Sequence, residues 1–307
     1  VTDLVIRRIR WDFDGGVPFL WQPNNPAFGM FCTVFTFIAV PFEHYIIKAL
    51  KPTQATFTDP AVAAEADAFL RQEGQHAAAH RKHMDALIAA YPGLQRAYDD
   101  ATAAFDELVA TRPAEFHAAY IANLEATFTP LFKLVLDNRD SLFAGSDERV
   151  ASLMMWHFVE EIEHRSSGLM LSRALSPDRW YRVRQVRETF RHIGEVAAAI
   201  GATVDAVVPV EQRVVSAADL MSPALLVDEF TRRGPWARRA PRTQVPTLFN
   251  AVPTRDLARM VWRLALSQMP NHDPADQPLP EWAAVWMAEY ERGTDMTRFA
   301  GAGPNRT

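Results

Sequence analysis

The 307 residues are 49% hydrophobic and carry 32 basic and 37 acidic side chains, for a net charge of −5. That balance excludes the basic footprint of a nucleic-acid binder, and the apolar fraction supports one large core, or a core domain with a substantial extension. Cys32 is the sole cysteine, so an intrachain disulfide and a cysteine-rich metal site are both excluded, and a reducing, cytoplasmic setting is expected.

Residues 1–26 read as an irregular arm with short extended pieces, rich in Trp, Gly and Pro (Trp11, Trp21, Gly15, Gly16, Pro18, Pro23, Pro26). Val1 to Asp14 has scattered charges and no apolar signal core, so no export signal is expected. The apolar run from Phe28 to Phe42 is shorter than the roughly 18 to 20 residues that span a bilayer, and Glu43 and His44 follow at once. It is expected to be a buried helix and not a transmembrane span; contact with a membrane surface or a greasy substrate is the other reading.

The first helix is expected from about Phe28 to Leu50, ended by Lys51-Pro52 because proline cannot continue the hydrogen-bond ladder. Thr58-Asp59-Pro60 opens a second helix with a capping residue and proline at the first helical position. Tyr91-Pro92-Gly93 stops it, and a shorter helix at about 94–110 leads to Pro113. The third long helix runs to about Asn138, with a kink expected at Pro130. Ser146-Asp147 caps a fourth, which continues to about Leu175 before Ser176-Pro177, and one more helix covers about 178–200. Beyond Gly201 come eleven of the 21 prolines, so residues 201–307 are read as a helical C-terminal extension packed on the bundle of residues 27–200. The final GAGPNRT is expected to fray.

Glu73-Gly-Gln-His76 and Glu161-Ile-Glu-His164 are both Glu-x-x-His. Positions i and i+3 share a helical face, so each pair can aim a carboxylate and an imidazole at one point. A single such tetrapeptide is usually a solvated Glu beside an unrelated His. Two, on two long helices, match a di-metal bundle site, which takes one further Glu from each of the other two helices. Glu43 and Glu125 occupy those helices in the required order. Both sit in apolar text, where an unpaired carboxylate is costly to bury, although either could instead be a surface or salt-bridged residue. Glu160 is the alternative to Glu161, as a substitute or as a hydrogen-bond acceptor. His80 and His157 lie four residues from His76 and Glu161 on the same faces. Outer hydrogen bonding to the ligands is the favoured role for both, and an extra metal ligand is the alternative. His44, His83, His117, His192 and His272 are read as ordinary polar or core residues.

The strings Pro41-Phe-Glu43, Gln72-Glu-Gly-Gln-His76 with His80, Leu124-Glu125 and Trp156-His-Phe-Val-Glu-Glu-Ile-Glu-His164 resemble the ferritin-like di-iron carboxylate superfamily. More narrowly, they resemble a bacterial family of predicted metal-dependent hydrolases. The resemblance covers roughly residues 5–200, with Asn271-His-Asp-Pro274 the only later echo. With the helices read above, the expected fold is all-α: a ferritin-like four-helix bundle with a dinuclear metal site, plus the C-terminal helical extension. The resemblance also implies metal ligation by Glu43, Glu73, His76, Glu125, Glu161 and His164.

Four carboxylates and two imidazoles form a hard donor set that favours Fe or Mn over Cu(I), and four carboxylates neutralise two Fe(II) ions. The leading expectation is a di-iron (or Mn/Fe, or Mn/Mn) oxidase or oxygenase that activates O2 on a small apolar substrate. An electron-donor reductase would then be its partner, and a homodimer would cover the apolar first helix. The alternative is a metal-dependent hydrolase using a bridging hydroxide, and the third reading is metal storage or sensing.

Overall fold

The computed structural model describes residues 4–222 and 247–300, with Glu229 and Arg233 between them. Among these, twelve helices and no strand occur, so the fold is all-α. Helix α1 (Pro26–Leu50) starts two residues before the apolar run, because the Asn25 side chain accepts the Phe28 N–H at 3.1 Å and Pro26 fills the first helical position. Its apolar stretch would be long enough for a membrane span, yet 78% of that window is buried inside the fold. It is the central core helix.

Helix α2 (Pro60–Ala90) opens at Asp59, whose carboxylate accepts the Ala61 N–H at 2.8 Å. Helices α3 (Gln95–Thr111) and α4 (Ala114–Asp137) follow, then the single turn α5 (Arg139–Leu142). The α4 helix continues through Pro130. Helix α6 (Glu148–Glu163) is capped by Asp147, which accepts from the Arg149 and Val150 amides. α1 packs on α2, α3 and α4; α4 packs on α6; and α2 packs on α6. The four helices that carry the Glu and His motifs therefore surround one interior, and each fully buried Phe or Trp there (Phe37, Phe69, Phe132, Trp156, Phe158) contributes about 2–3 kcal/mol.

One expected helix is two. α6 stops at Glu163, and α7 (Ser167–Leu175) begins four residues later. Arg165 Nη1 donates to the Ile162 carbonyl at 2.8 Å, satisfying a group at the helix end. The small pair Ser167 and Gly168 then brings α7 against α4. Helix α8 (Arg179–Val207) runs past the end expected near residue 200. Gly201 is not a stop signal there: a Cβ at that position would lie 3.0–3.1 Å from the backbone of Ala217 and Ala218, so glycine permits close packing of α8 on a later turn.

The short helices α9 (Val210–Arg213) and α10 (Ala217–Leu220) follow, with α10 packed on α8. Helices α11 (Thr254–Ser267) and α12 (Glu281–Glu291) both pack on α4, and the 3-10 turn Met296–Arg298 packs on α6. The GAGPNRT tail lies outside the described residues. The N-terminal arm has no regular structure over the described residues 4–25, but Arg7, Trp11, Phe13, Val17, Phe19 and Trp21 are all buried against the helices.

Candidate metal centre

Glu43 comes from α1, Glu73 and His76 from α2, Glu125 from α4, and His157, Glu160 and Glu161 from α6; His164 caps the end of α6. All are buried, none more than 2% exposed. Ligand atoms of Glu73, His76, Glu161 and His164 lie within 4.8 Å of one another, and so do those of Glu43, His76 and His157. The two groups share His76. Glu125 belongs to neither but borders the first, with Oε2 3.2 Å from His164 Nδ1.

Glu161 is the hub. Its Oε1 lies 2.9 Å from His157 Nε2 and 3.4 Å from both His76 Nδ1 and His164 Nε2. The structure thus brings together all six residues singled out in the sequence, and His157 hydrogen-bonds to one of them, Glu161. His157 Nε2 faces Glu161 and, at 3.7 Å, Glu43, so its ring occupies a donor position inside the cluster. The outer hydrogen-bonding roles fall to His80 and Glu160. His80 Nε2 lies 2.8 Å from His157 Nδ1, and Glu160 Oε2 lies 3.0 Å from His76 Nε2. Glu160 is held in turn by Arg7, whose Nη1 donates to its Oε1 at 3.1 Å. The guanidinium also donates to both oxygens of Glu163, at 2.7 and 2.9 Å, and Gln72 Nε2 donates to Glu163 at 3.0 Å. Its other surroundings are the rings of Trp286 and Tyr290 on α12, 5.8 and 5.7 Å from the guanidinium carbon.

Sequence reasoning missed Arg7, and nothing in the arm's composition signals it. Thr36 and His83 are buried on the faces that carry the donors. Thr36 lies seven residues before Glu43 and His83 seven after His76, two helical turns away on the same faces.

The electrostatics call for positive charge. Burial pushes Glu43 well above the ordinary carboxylate range, lifts Glu73, and raises Glu125 to about 8, with the Glu161 charge adding to the last. Burial also acts on Glu161, but the charge of His164 and hydrogen bonds from His157, His164 and His76 outweigh it and hold Glu161 well below that range. Burial disfavours charge on His76 and His164 too. Hydrogen bonds to Glu160, Glu161 and Glu73 nevertheless raise His76, and the charges and hydrogen bonds of Glu161 and Glu125 raise His164. The protonated imidazoles stand where cations would otherwise be needed. The contacts among these groups are long or poorly aligned, so Glu43 Oε2, Glu73 Oε1, His76 Nδ1, both Glu125 oxygens, Glu161 Oε2 and both His164 nitrogens lack a well-formed hydrogen bond. These under-bonded oxygens and nitrogens, in and beside the two donor groups, fit a hard divalent cation once the imidazoles give up their protons.

Gly168 sets the position of Glu125. A Cβ there would lie 2.9 Å from Glu125 Cγ and 3.4 Å from Ala122 Cα. Gly168→Ala is expected to lower stability by about 1–3 kcal/mol through overpacking and to weaken metal affinity by displacing that carboxylate. Urea unfolding and a metal titration on the same preparation check both effects.

An all-helical chain with buried Glu and His donors so arranged is a candidate metalloprotein. The chain belongs to the family of predicted metal-dependent hydrolases, which matches residues 5–221. No curated protein and no solved structure matches it.

Proposed function

We propose that the chain is a dinuclear metal-dependent hydrolase of a small substrate, built on a ferritin-like four-helix bundle. Seven donors would hold the metals: Glu43, Glu73, His76, Glu125, His157, Glu161 and His164. The observation that carries this reading is the pair of adjoining buried Glu/His donor groups, in a chain of the predicted metal-dependent hydrolase family. The third imidazole matters, since hydrolytic sites are richer in histidine than the six-residue set alone. Two divalent cations in such a site supply Lewis acidity, which acidifies water and polarises a scissile bond.

The chain's own contribution is orientation and proton handling. Glu160 takes the Nε2–H of His76 at 3.0 Å, leaving Nδ1 for the centre. Glu161 fixes the spacing of three imidazoles. Glu125, which borders the first donor group and touches one imidazole only, would take up a proton from water. Aromatic rings exclude bulk solvent: Phe69 packs 5.0 Å from His164, Trp156 5.1 Å from His76, and Phe35 5.1 Å from His157.

That aromatic wall, together with four carboxylates that neutralise two Fe(II) ions, favours a second reading: O2-dependent oxidation of an apolar substrate at an Fe/Fe or Mn/Fe centre, with a reductase as partner. Protein loaded with Zn(II) or Mn(II) is expected to hydrolyse members of an ester, amide and phosphoester panel under argon. If turnover instead requires Fe(II), consumes O2 and is accompanied by a transient visible absorption, the second reading replaces the first.

A further inference from the structure

A line of buried polar contacts leads away from the donor groups. His157 Nδ1 lies 2.8 Å from His80 Nε2, and His80 Nδ1 lies 3.1 Å from Thr36 Oγ1. The same hydroxyl lies 3.1 Å from His83 Nδ1. All four side chains are buried, and at the far end His83 Nε2 has no hydrogen-bond partner. The near end is His157 Nε2, 2.9 Å from Glu161 Oε1.

A neutral imidazole offers one N–H and one lone pair, so the direction of any one of these bonds dictates the next. All three rings are buried, where a neutral imidazole costs less than a charged one. Without a cation, His157 donates Nε2–H to Glu161. Its Nδ1 then accepts from His80 Nε2–H, His80 Nδ1 accepts from the Thr36 hydroxyl, and Thr36 Oγ1 accepts from His83 Nδ1–H. A cation on His157 Nε2 demands the lone pair of that nitrogen. That nitrogen gives up its proton, Nδ1 gains the one from His80 Nε2, every bond reverses, and the line ends on His83 Nε2–H.

We propose that His157, His80, Thr36 and His83 form a reversible hydrogen-bond wire, through which cation binding at the centre is converted into a change of tautomer at His83. This rests on the metal-centre reading above. Each reversal balances: water takes the proton that leaves His157 Nε2, one proton crosses each of the three contacts toward the centre, and water supplies the one that His83 Nε2 gains. No ring changes its charge. His80 and Thr36 are positioning residues, since their bonds aim the His157 lone pair at the centre.

The test uses full-length protein with 15N-labelled histidine, followed by long-range proton–nitrogen correlation spectra as Zn(II) is added. The His83 signal is assigned with His83→Gln, and bound zinc is measured in the same samples. The two ring nitrogens of His83 are expected to exchange their shifts as zinc binds. In Thr36→Val zinc is still taken up and the exchange is lost; in Thr36→Ser it returns. Zinc uptake by the wild-type protein with an unchanged His83 tautomer overturns the wire alone, as does an exchange that persists in Thr36→Val. A protein that takes up no zinc overturns the wire and the metal centre together. The wild-type titration decides the matter even if Thr36→Val does not fold.

Discussion

Glu161→Ala is expected to take the metal content of the purified protein from about two ions per chain to fewer than about one. The helices should still form. Glu161 is the one carboxylate in contact with all three imidazoles of the cluster, His76, His157 and His164. Removing it takes a ligand from the first donor group and releases both imidazoles of the second. Loss of an outer hydrogen-bonding partner typically costs 10- to 100-fold in metal affinity, so loss of this ligand should cost more than about 100-fold. His164→Ala should behave similarly through Glu73, Glu125 and Glu161. Elemental analysis against the surface variant Glu148→Ala, with helicity followed by circular dichroism, makes the measurement. Wild-type metal content in both variants would remove the assignment.

Stripping the metal should change the sign of the pH dependence of stability above about pH 6.5. In the metal-free protein, Glu43, Glu73, Glu125, His76 and His164 all hold protons more tightly folded than unfolded. Their contribution to stability is present at low pH and is lost as pH rises through the folded values. For Glu125, raised to about 8, the loss between about pH 6.5 and 8 amounts to roughly 2 kcal/mol at 1.36 kcal/mol per unit. His157, His80 and His83 are shifted down by burial, so their opposing contribution is lost only as pH falls below the unfolded histidine value of about 6.5. Glu161, held low, loses its contribution only under still more acid conditions.

Loaded protein should do the reverse, because a cation displaces those protons and binds better as pH rises. A thousandfold excess over the dissociation constant adds about 4 kcal/mol. Urea unfolding of chelator-treated and zinc-loaded protein across this window decides it, with Glu125→Gln flattening the metal-free slope. A metal-free protein that gains stability over the same window would contradict the protonation pattern.

Most of the cluster could be read from spacing. Glu-x-x-His repeated on two helices, with lone carboxylates in apolar text on two others, leaves few ways to bury four negative charges. The all-helical fold was legible for a related reason, since caps and prolines such as Asp59-Pro60 and Tyr91-Pro92-Gly93 punctuate it. What escaped depends on rotation and on distant partners. His157 and His80 lie on equivalent faces of their helices, and spacing could not tell which ring points inward; the helix pairing decides it, by bringing the two rings together. The break after Glu163 was hidden because Arg165, which satisfies the carbonyl there, reads as an ordinary charged helical residue. Arg7 lies 153 residues from Glu160, a pairing that no local pattern encodes.

Arg7 also joins parts of the chain that the family match separates. Its guanidinium sits between the carboxylates of α6 and the rings of Trp286 and Tyr290, and those rings lie beyond residue 221, where the match ends. A shortened chain holding only the matched region would therefore expose this cation to water on its aromatic side. The grip on Glu160 would slacken, and with it the aim of His76. Trimming a seemingly dispensable tail would be felt first as poorer metal retention, before any helix of the bundle is disturbed.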